Sequence, residues 1–444
     1  MQKQSKKISI KNILKSLVVL LFLPVLVLAA DTNQSGEGSN IATKELTLKN
    51  DFFSLIDCYK LALKQSELIA IDAEQIKIAQ AHFLEAFGTL MPQVSFSQVE
   101  TKNQLSSTSA DKTNEAKFVF RQDLFSGFKE FASMKSGNFE KSQRQKEKWR
   151  AEQLLFVDVS DAFYLLLETE QDLSVLKTIE FALNDRIQDL KSRQNIGKSR
   201  VSEVVTTEYQ LYNLQAEIQL ERNQELLVRQ LVEFLIGRPF DKIAESKFVL
   251  NIKSESQYLA EASFRPDVQA SYYAWKSDQE KIGVAKSGLF PQVNLEGDYF
   301  THRSSSPENS KWLALLSVNI PIFEGTTVYG QVKEAEAMAK QSELLYSRLG
   351  RIAIQDIHDA YINMRISILR KKTLGRALKS AELSYHLQTQ DYKLNVVNNL
   401  DVLTSIQNLA DVRRSYIHTT YESKRFYWQL LAAAGEINPD TIIK

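Results

Sequence analysis

Five histidines are the first place to look for chemistry, and they are dispersed. His82, His302, His358, His386 and His418 form no metal-ligand spacing, and no His-Glu-x-x-His helix motif is present. The chain has no Gly-x-Ser-x-Gly elbow to present a nucleophilic serine and no glycine-rich loop to cradle phosphate. Cys58 is the single cysteine. It can make no internal disulfide, and its helical setting reads as a small buried hydrophobe. The acid-rich spacings read as solvated helix faces. These residue types predict no enzyme, no metal and no cofactor.

The elements must therefore serve something other than catalysis. A corner, Leu289-Phe290-Pro291-Gln292-Val293, leads into an alternating strand, a polar loop, a second strand and an exit at Phe323-Glu324-Gly325. The passage occurs twice. Leu90-Met91-Pro92-Gln93-Val94 matches at an offset of 199, and Phe125-Ser126-Gly127 at 198. Gly237 answers Gly435, and Glu203-Val204 answers Asp401-Val402, both at 198. A period near 200 residues is far too long for a solenoid repeat. The chain is a duplicated domain, each copy built round a strand pair.

Proline placement shows which elements lie beyond each strand pair. None of the eight prolines falls between Gln93 and Arg238, or between Ile322 and Asn438. A proline inside a helix costs about 3 kcal/mol, so both intervals are free to hold long helices. From Leu155 a 4-3 pattern runs through Val159, Ala162, Leu166, Thr169, Leu173, Leu176, Glu180, Leu183, Ile187 and Leu190, a coiled-coil seam. A helix from near Phe128 to Asn195 would span roughly 100 Å at ~1.5 Å per residue. Its counterpart, about Thr326 to Lys393, has the smaller seam Ala335, Ala339, Ser342, Tyr346, Leu349, Ala353, Asp356, Ala360. After Asn195-Ile196-Gly197 and near Asn395 a second helix returns, over Ser202–Leu235 and Asn399–Ala434, so each copy is an antiparallel hairpin. Upstream, helical spacing runs from Leu46 to Gly88.

The strands alternate. Val293, Leu295 and Tyr299 oppose Asn294, Glu296 and Asp298; Ala116, Phe118 and Phe120 oppose Lys117, Val119 and Arg121. Trp312, Ala314, Leu316, Val318 and Ile320 form one face of the last strand. Alternation alone fits either a soluble sheet with one buried face or a transmembrane barrel. The loops Lys102–Glu115 and His302–Lys311, with Ser107 and Ser305, are polar and expected to be solvent-exposed.

The first 30 residues read as a secretory signal: five lysines and no acid, then an apolar run from Leu17 to Leu28, then Ala29-Ala30 before polar residues. No other long apolar run is present downstream. Without those lysines the chain holds 50 basic and 54 acidic residues, which argues against a nucleic-acid partner. The expected organisation is signal peptide 1–30, flexible leader 31–45, first repeat 46–239, linker 240–262, second repeat 263–437 and tail 438–444.

Over the whole mature chain the sequence resembles the TolC-type outer-membrane efflux and secretion channels. The residues that carry the resemblance are the Leu-x-Pro-Gln-Val corners, the exits at Phe125 and Phe323, and the hairpin tips. These tips are Asn195-Ile196-Gly197 with Val201-Ser202-Glu203-Val204, and Leu400-Asp401-Val402-Leu403. The resemblance implies a mainly α fold with a small β part. A long antiparallel coiled-coil α-barrel would join a transmembrane β-barrel shared by three chains, four strands each. Physical constraint points the same way: the smallest membrane barrels have about eight strands, and open edges in lipid leave backbone groups unsatisfied.

The function so implied is that of an outer-membrane exit duct of a tripartite efflux pump or type I secretion system. Its partners would be two further copies of the chain, outer-membrane lipid, a periplasmic adaptor and an inner-membrane transporter. The resemblance also places a periplasmic gate at the tips. Glu203 and Tyr392 fall on a closing network, with Val397 where some members have a basic residue. Asp401 falls on a ring of acids, with Thr404 where a second ring acid stands. The rival reading is a periplasmic coiled-coil adaptor or structural protein; an adaptor would carry one hairpin and glycine-rich lipoyl halves instead of a duplicated strand–hairpin unit.

Overall fold

The computed structural model describes residues 52–106, 109–245, 250–304 and 310–438, with backbone only for 103–106 and 109–112. The expected signal peptide and leader, Ser107, Ser305 and nearly all of the tail lie outside the described residues.

Helices dominate, and the proline-free intervals hold the longest. We label the helices α1 (Leu55–Gln65), α2 (Glu67–Gly88), α3 (Lys129–Asn195), α4 (Val201–Ile236), α5 (Glu255–Glu261), α6 (Pro266–Lys286), α7 (Thr327–Lys393) and α8 (Asn399–Ala433). The strands are β1 (Phe52–Phe53), β2 (Gln93–Ser106), β3 (Ser109–Ser126), β4 (Lys242–Ile243), β5 (Gln292–Arg303) and β6 (Trp312–Asn319). Helices α3 and α7 each have 67 residues and start and end 198 apart, so the repeat register is kept residue for residue. Each is about 100 Å long at ~1.5 Å per residue. Helix α3 pairs with α4 and α7 with α8; α2 packs on α3, and α6 lies between α3 and α7.

The coiled-coil seam of α3 is real. Val159, Ala162, Leu166, Thr169, Leu173, Leu176, Leu183, Ile187 and Leu190 are all buried. Buried Thr169 satisfies its hydroxyl on the Leu166 carbonyl at 3.0 Å, while Glu180 leaves the core and accepts from Gln215 at 3.0 Å. On α7 the small seam is only partly covered: Ala339 and Ala353 are buried, and the core line passes on to Ile357 and Met364.

Left-handed backbone marks the joints and repeats with the same period. Gly127 and Gly325 leave the strands, Gly197 and Asn395 turn the tips, and Gly237 and Gly435 end the returning helices, all with φ between 58° and 75°. At the first tip Lys198 N donates to Arg193 O at 2.8 Å and Gly197 N to Gln194 O at 2.9 Å. At the second, Val396 N donates to Asp391 O at 2.9 Å and Asn395 N to Tyr392 O at 3.0 Å. Both are Schellman turns, one built on glycine and the other on asparagine, the two residues that enter this region most readily.

The helical run expected from Leu46 to Gly88 is corrected: of its described part, Phe52–Phe53 is strand and the helix breaks at Ser66. Ser66 is extended (ψ 110°), and its hydroxyl caps α2 by accepting from Ile69 N at 3.4 Å. A tertiary contact sits at the break: a Cβ on Gly237 would stand 2.6 Å from Gln65. Strands β1 and β4 pair in parallel, two residues each.

The remaining strands form one antiparallel sheet, in order β2-β3-β5-β6. Directly opposed residues share a face. Val94 lies opposite Phe120, Phe96 opposite Phe118, Phe118 opposite Tyr299, and Tyr299 opposite Trp312. The other face is mixed: it carries ion pairs, Lys117 with Asp298 at 2.5 Å and Arg121 with Glu296 at 3.2 Å, beside Val119, Phe300, Leu313 and Leu315. On the apolar face Val94, Phe96, Phe118, Tyr299, Trp312, Leu316 and Val318 are all exposed. Among the described residues, the outer edges of β2 and β6 meet no further strand.

A candidate gate at the hairpin tips

The two tips meet through a buried polar network within one chain. Arg186, on α3, is 8% exposed. Its Nε donates to Asn399 Oδ1 at 2.9 Å, and Nη1 donates to Asp189 Oδ2 at 3.2 Å. Its guanidinium carbon lies 3.5 Å from the centre of the Tyr392 ring, and that of Arg193 4.7 Å from the same centre. Tyr392, on α7, thus presents its ring to two cations. The negative face of an aromatic ring attracts such groups, by up to ~2 kcal/mol when water is excluded. Asn399 continues the network, donating to Thr207 Oγ1 at 3.2 Å, while Thr207 donates to Glu203 O at 2.8 Å. Burial pulls the Arg186 pKa below its ordinary value, with Tyr392 and Asp189 opposing. Its Nη2 finds no hydrogen-bond partner among the described residues.

Glu203 and Asp401 occupy equivalent third positions of the returning helices. Asp401 closes a capping box: its carboxylate accepts from Asn398 N at 3.0 Å, and Asn398 Oδ1 accepts from Asp401 N at 3.1 Å. Arg200 stands at the matching cap of α4 and makes no side-chain cap, and there Glu203 Oε2 accepts from Ser199 Oγ at 2.5 Å. Within one chain Tyr392 does not bond Glu203. Thr404 is exposed and returns its hydroxyl to Leu400 O at 2.8 Å.

Of the residues expected at the tips, Tyr392 joins this network by its ring and Glu203 by its backbone carbonyl, Asp401 and Thr404 bond only within their own turn, and Arg186, Arg193, Asn399 and Thr207 were not expected. The available signal was Arg186 itself, a charge beside Ile187 on the seam.

Further up the coil, α8 carries cations and its neighbours carry acids. Arg414 pairs with Asp172 at 3.0 Å, with Glu217, and with Glu221 at 3.6 Å. His418 Nδ1 meets Glu168 at 2.6 Å, and Arg425 meets the same carboxylate at 3.2 Å. The Glu168 hydrogen bond raises the His418 pKa, while burial raises those of Asp172 and Glu221.

One chain thus combines a sheet with an exposed apolar face, two long hairpins and a buried polar network at their tips. Residues 260–436 match the family model described as outer membrane efflux protein. Outer membrane protein TolC of Vibrio cholerae serotype O1 is 21% identical over 325 residues, covering 68% of this chain and 73% of that protein. Nodulation protein T of Rhizobium leguminosarum bv. trifolii is 23% identical over 260 residues, 55% of each chain. Among solved structures, CusC superimposes with a TM-score of 0.78 at 16% identity, covering 86% of this chain and 92% of that one. VceC of Vibrio cholerae gives 0.77 at 18% identity, covering 86% and 96%. Over these spans the chain is similar to TolC-type outer-membrane efflux channels.

Proposed function

We propose that three copies of this chain close a twelve-strand barrel and a helical tunnel, and that the tips are the tunnel's gate. One observation carries this reading: the four-stranded sheet exposes its apolar face and leaves both long edges open. Neither condition is tolerable in one isolated chain, and ring closure between copies removes both. The duct takes its cargo from an inner-membrane transporter through a periplasmic adaptor, as a tripartite pump or type I secretion system. The chain transports and does not catalyse. In this assembly Tyr392 and Glu203 join neighbouring coils, while three Asp401 carboxylates ring the entrance, with Thr404 adding no second ring.

The test is direct. Protein extracted from the outer membrane should run as a trimer by native mass spectrometry and conduct ions in planar bilayers. A monomer without conductance overturns the reading. Asp401→Asn should also shift the reversal potential across a salt gradient toward zero. An unchanged potential would leave Asp401 with its capping role alone.

A further inference from the structure

The apolar core shared by the hairpins is interrupted. One buried cluster gathers round Phe156 and Phe163, and a second, nearer the tips, round Leu183, Leu190 and Leu403. On α3 the first ends at Leu166 and the second begins at Leu173. On α4 the tip-side cluster stops at Ile218 and the other resumes at Val228. On α8 it stops at Ile406, and the other resumes with half-buried Ile417 and buried Tyr421. Inside this break the buried residues are small: Thr169, Ala410 and Thr419.

Charge fills the break. Arg414 of α8 reaches Asp172 on α3 at 3.0 Å, and Glu221 on α4 at 3.6 Å with Glu217 beside it. One turn on, His418 places Nδ1 2.6 Å from Glu168 of α3 and Nε2 3.8 Å from Glu422. Arg425 shares Glu168 at 3.2 Å, and Arg370 of α7 reaches Glu422 at 3.4 Å. All four long helices therefore meet here through charged groups. The five carboxylates outnumber the three arginines, and Asp172 Oδ1 accepts no hydrogen bond among the described residues.

His418 is the member of this set whose ordinary pKa lies nearest neutral. Its side chain is 45% exposed while Glu168 is 13% exposed, so solvent reaches the imidazole and the carboxylate it meets is shielded. The Glu168 hydrogen bond raises the His418 pKa, and burial raises those of Asp172 and Glu221. The packed joint thus binds protons more firmly than the unfolded chain, and its stability falls as pH rises through the folded pKa values.

We propose that the break is a hinge between the tip-bearing coils and the body above them, and that the proton on His418 sets its stiffness. With the proton in place, α8 is drawn onto Glu168 and the coils are held in line across the break. Once it leaves, the surplus of carboxylate loosens the joint, so acid surroundings hold the tips still and alkaline ones free them. The inference rests on packing within one chain, and a failure of the trimer or conductance tests leaves it standing.

Hydrogen exchange of the full-length purified protein, followed by mass spectrometry, reads such local opening. After correction for intrinsic rates, amides of 167–172 and 407–418 should exchange about twofold to fivefold more slowly near pH ~6 than near pH ~8.5, the worth of a half-exposed ion pair. In His418→Gln they should keep the faster rate at both pH values. In His418→Arg, whose charge is permanent, they should keep the slower one. Residues 156–163 and 183–190, inside the two clusters, should retain their protection throughout, which separates a hinge from general unfolding. A pH dependence that survives in His418→Gln overturns the proposal. So does its absence from the original chain, or a softening of both clusters together with the break.

Discussion

At the scale of single residues, Arg186 and Tyr392 do different work from a surface ion pair. Arg186 is buried, and removing one partner of a buried charged hydrogen bond costs about 1.5–3 kcal/mol. Arg186→Met should therefore lower the melting temperature and raise single-channel conductance, because α3 loses its hold on Asn399. For Tyr392 the ring and the hydroxyl separate cleanly. Tyr392→Leu removes the surface on which both guanidinium groups rest and should open the tip. Tyr392→Phe keeps that surface and reports only the expected hydroxyl bond to Glu203 of an adjacent coil, an effect doubled with Glu203→Gln. His418 supplies the pH dependence. Its folded pKa is raised above its ordinary value of 6.5 by Glu168. Such a group stabilises the fold fully below the unfolded pKa and ceases to do so as pH rises through the folded one. The loss of melting temperature in His418→Gln should thus be larger near pH ~5.5 than near pH ~9. A loss independent of pH would show that the imidazole acts by packing alone. Of the Arg186 network only Tyr392 was reached from the sequence; Arg186 itself was not. Its partners lie 213 residues apart, and an arginine flanking a coiled-coil seam looks like any solvated charge.

At the scale of elements, the joints are where substitutions discriminate. Gly197 and Gly435 share a left-handed backbone, but their surroundings differ. A Cβ at Gly197 meets nothing within 4 Å, whereas one at Gly435 stands 3.1 Å from the backbone of Arg265. Gly197→Ala should cost about 1–2 kcal/mol, the conformational penalty alone. Gly435→Ala should cost more, since Arg265 is itself 2% exposed and held by Asp267 at 2.7 Å and Asp356 at 2.8 Å. Chemical denaturation of the two variants measures the difference; equal costs would remove the packing argument. The long helices were legible because proline is missing where it would break them and apolar residues keep a 4-3 spacing. The break at Ser66 was not, because Gln65, Ser66 and Glu67 are each compatible with a helix, and the contact that accompanies the break comes from Gly237. Strands β1 and β4 are too short to leave any period at all.

For the whole molecule, the decisive fact is that the sheet and the tips sit at opposite ends of each repeat. Alternation in the sequence placed the apolar residues of β3, β5 and β6 on one shared face, as the register has them. It could not say whether lipid or protein covered the apolar one, since both ask for the same residue types; the choice of lipid belongs to the proposed barrel and rests on the open edges. If the barrel stands in the outer membrane, the tips point into the periplasm about 100 Å away, a distance set by helices rising ~1.5 Å per residue. In a Cys58→Ser background, Lys198→Cys at the exposed first tip should react with an impermeant thiol reagent only after the outer membrane is opened. Labelling on intact cells would reverse the proposed orientation.

The two hairpins of one chain follow the same path to the residue, yet they are not alike in charge. Over corresponding stretches the first is rich in carboxylates and the second in lysine and arginine. The proposed ring of three chains would therefore offer six seats of nearly one shape but two alternating kinds. A partner that reads shape alone would mount six to a ring, and one that reads charge would mount three. Counting the partner subunits on the purified assembly by native mass spectrometry would tell which property the outer wall of this tunnel displays to its neighbours.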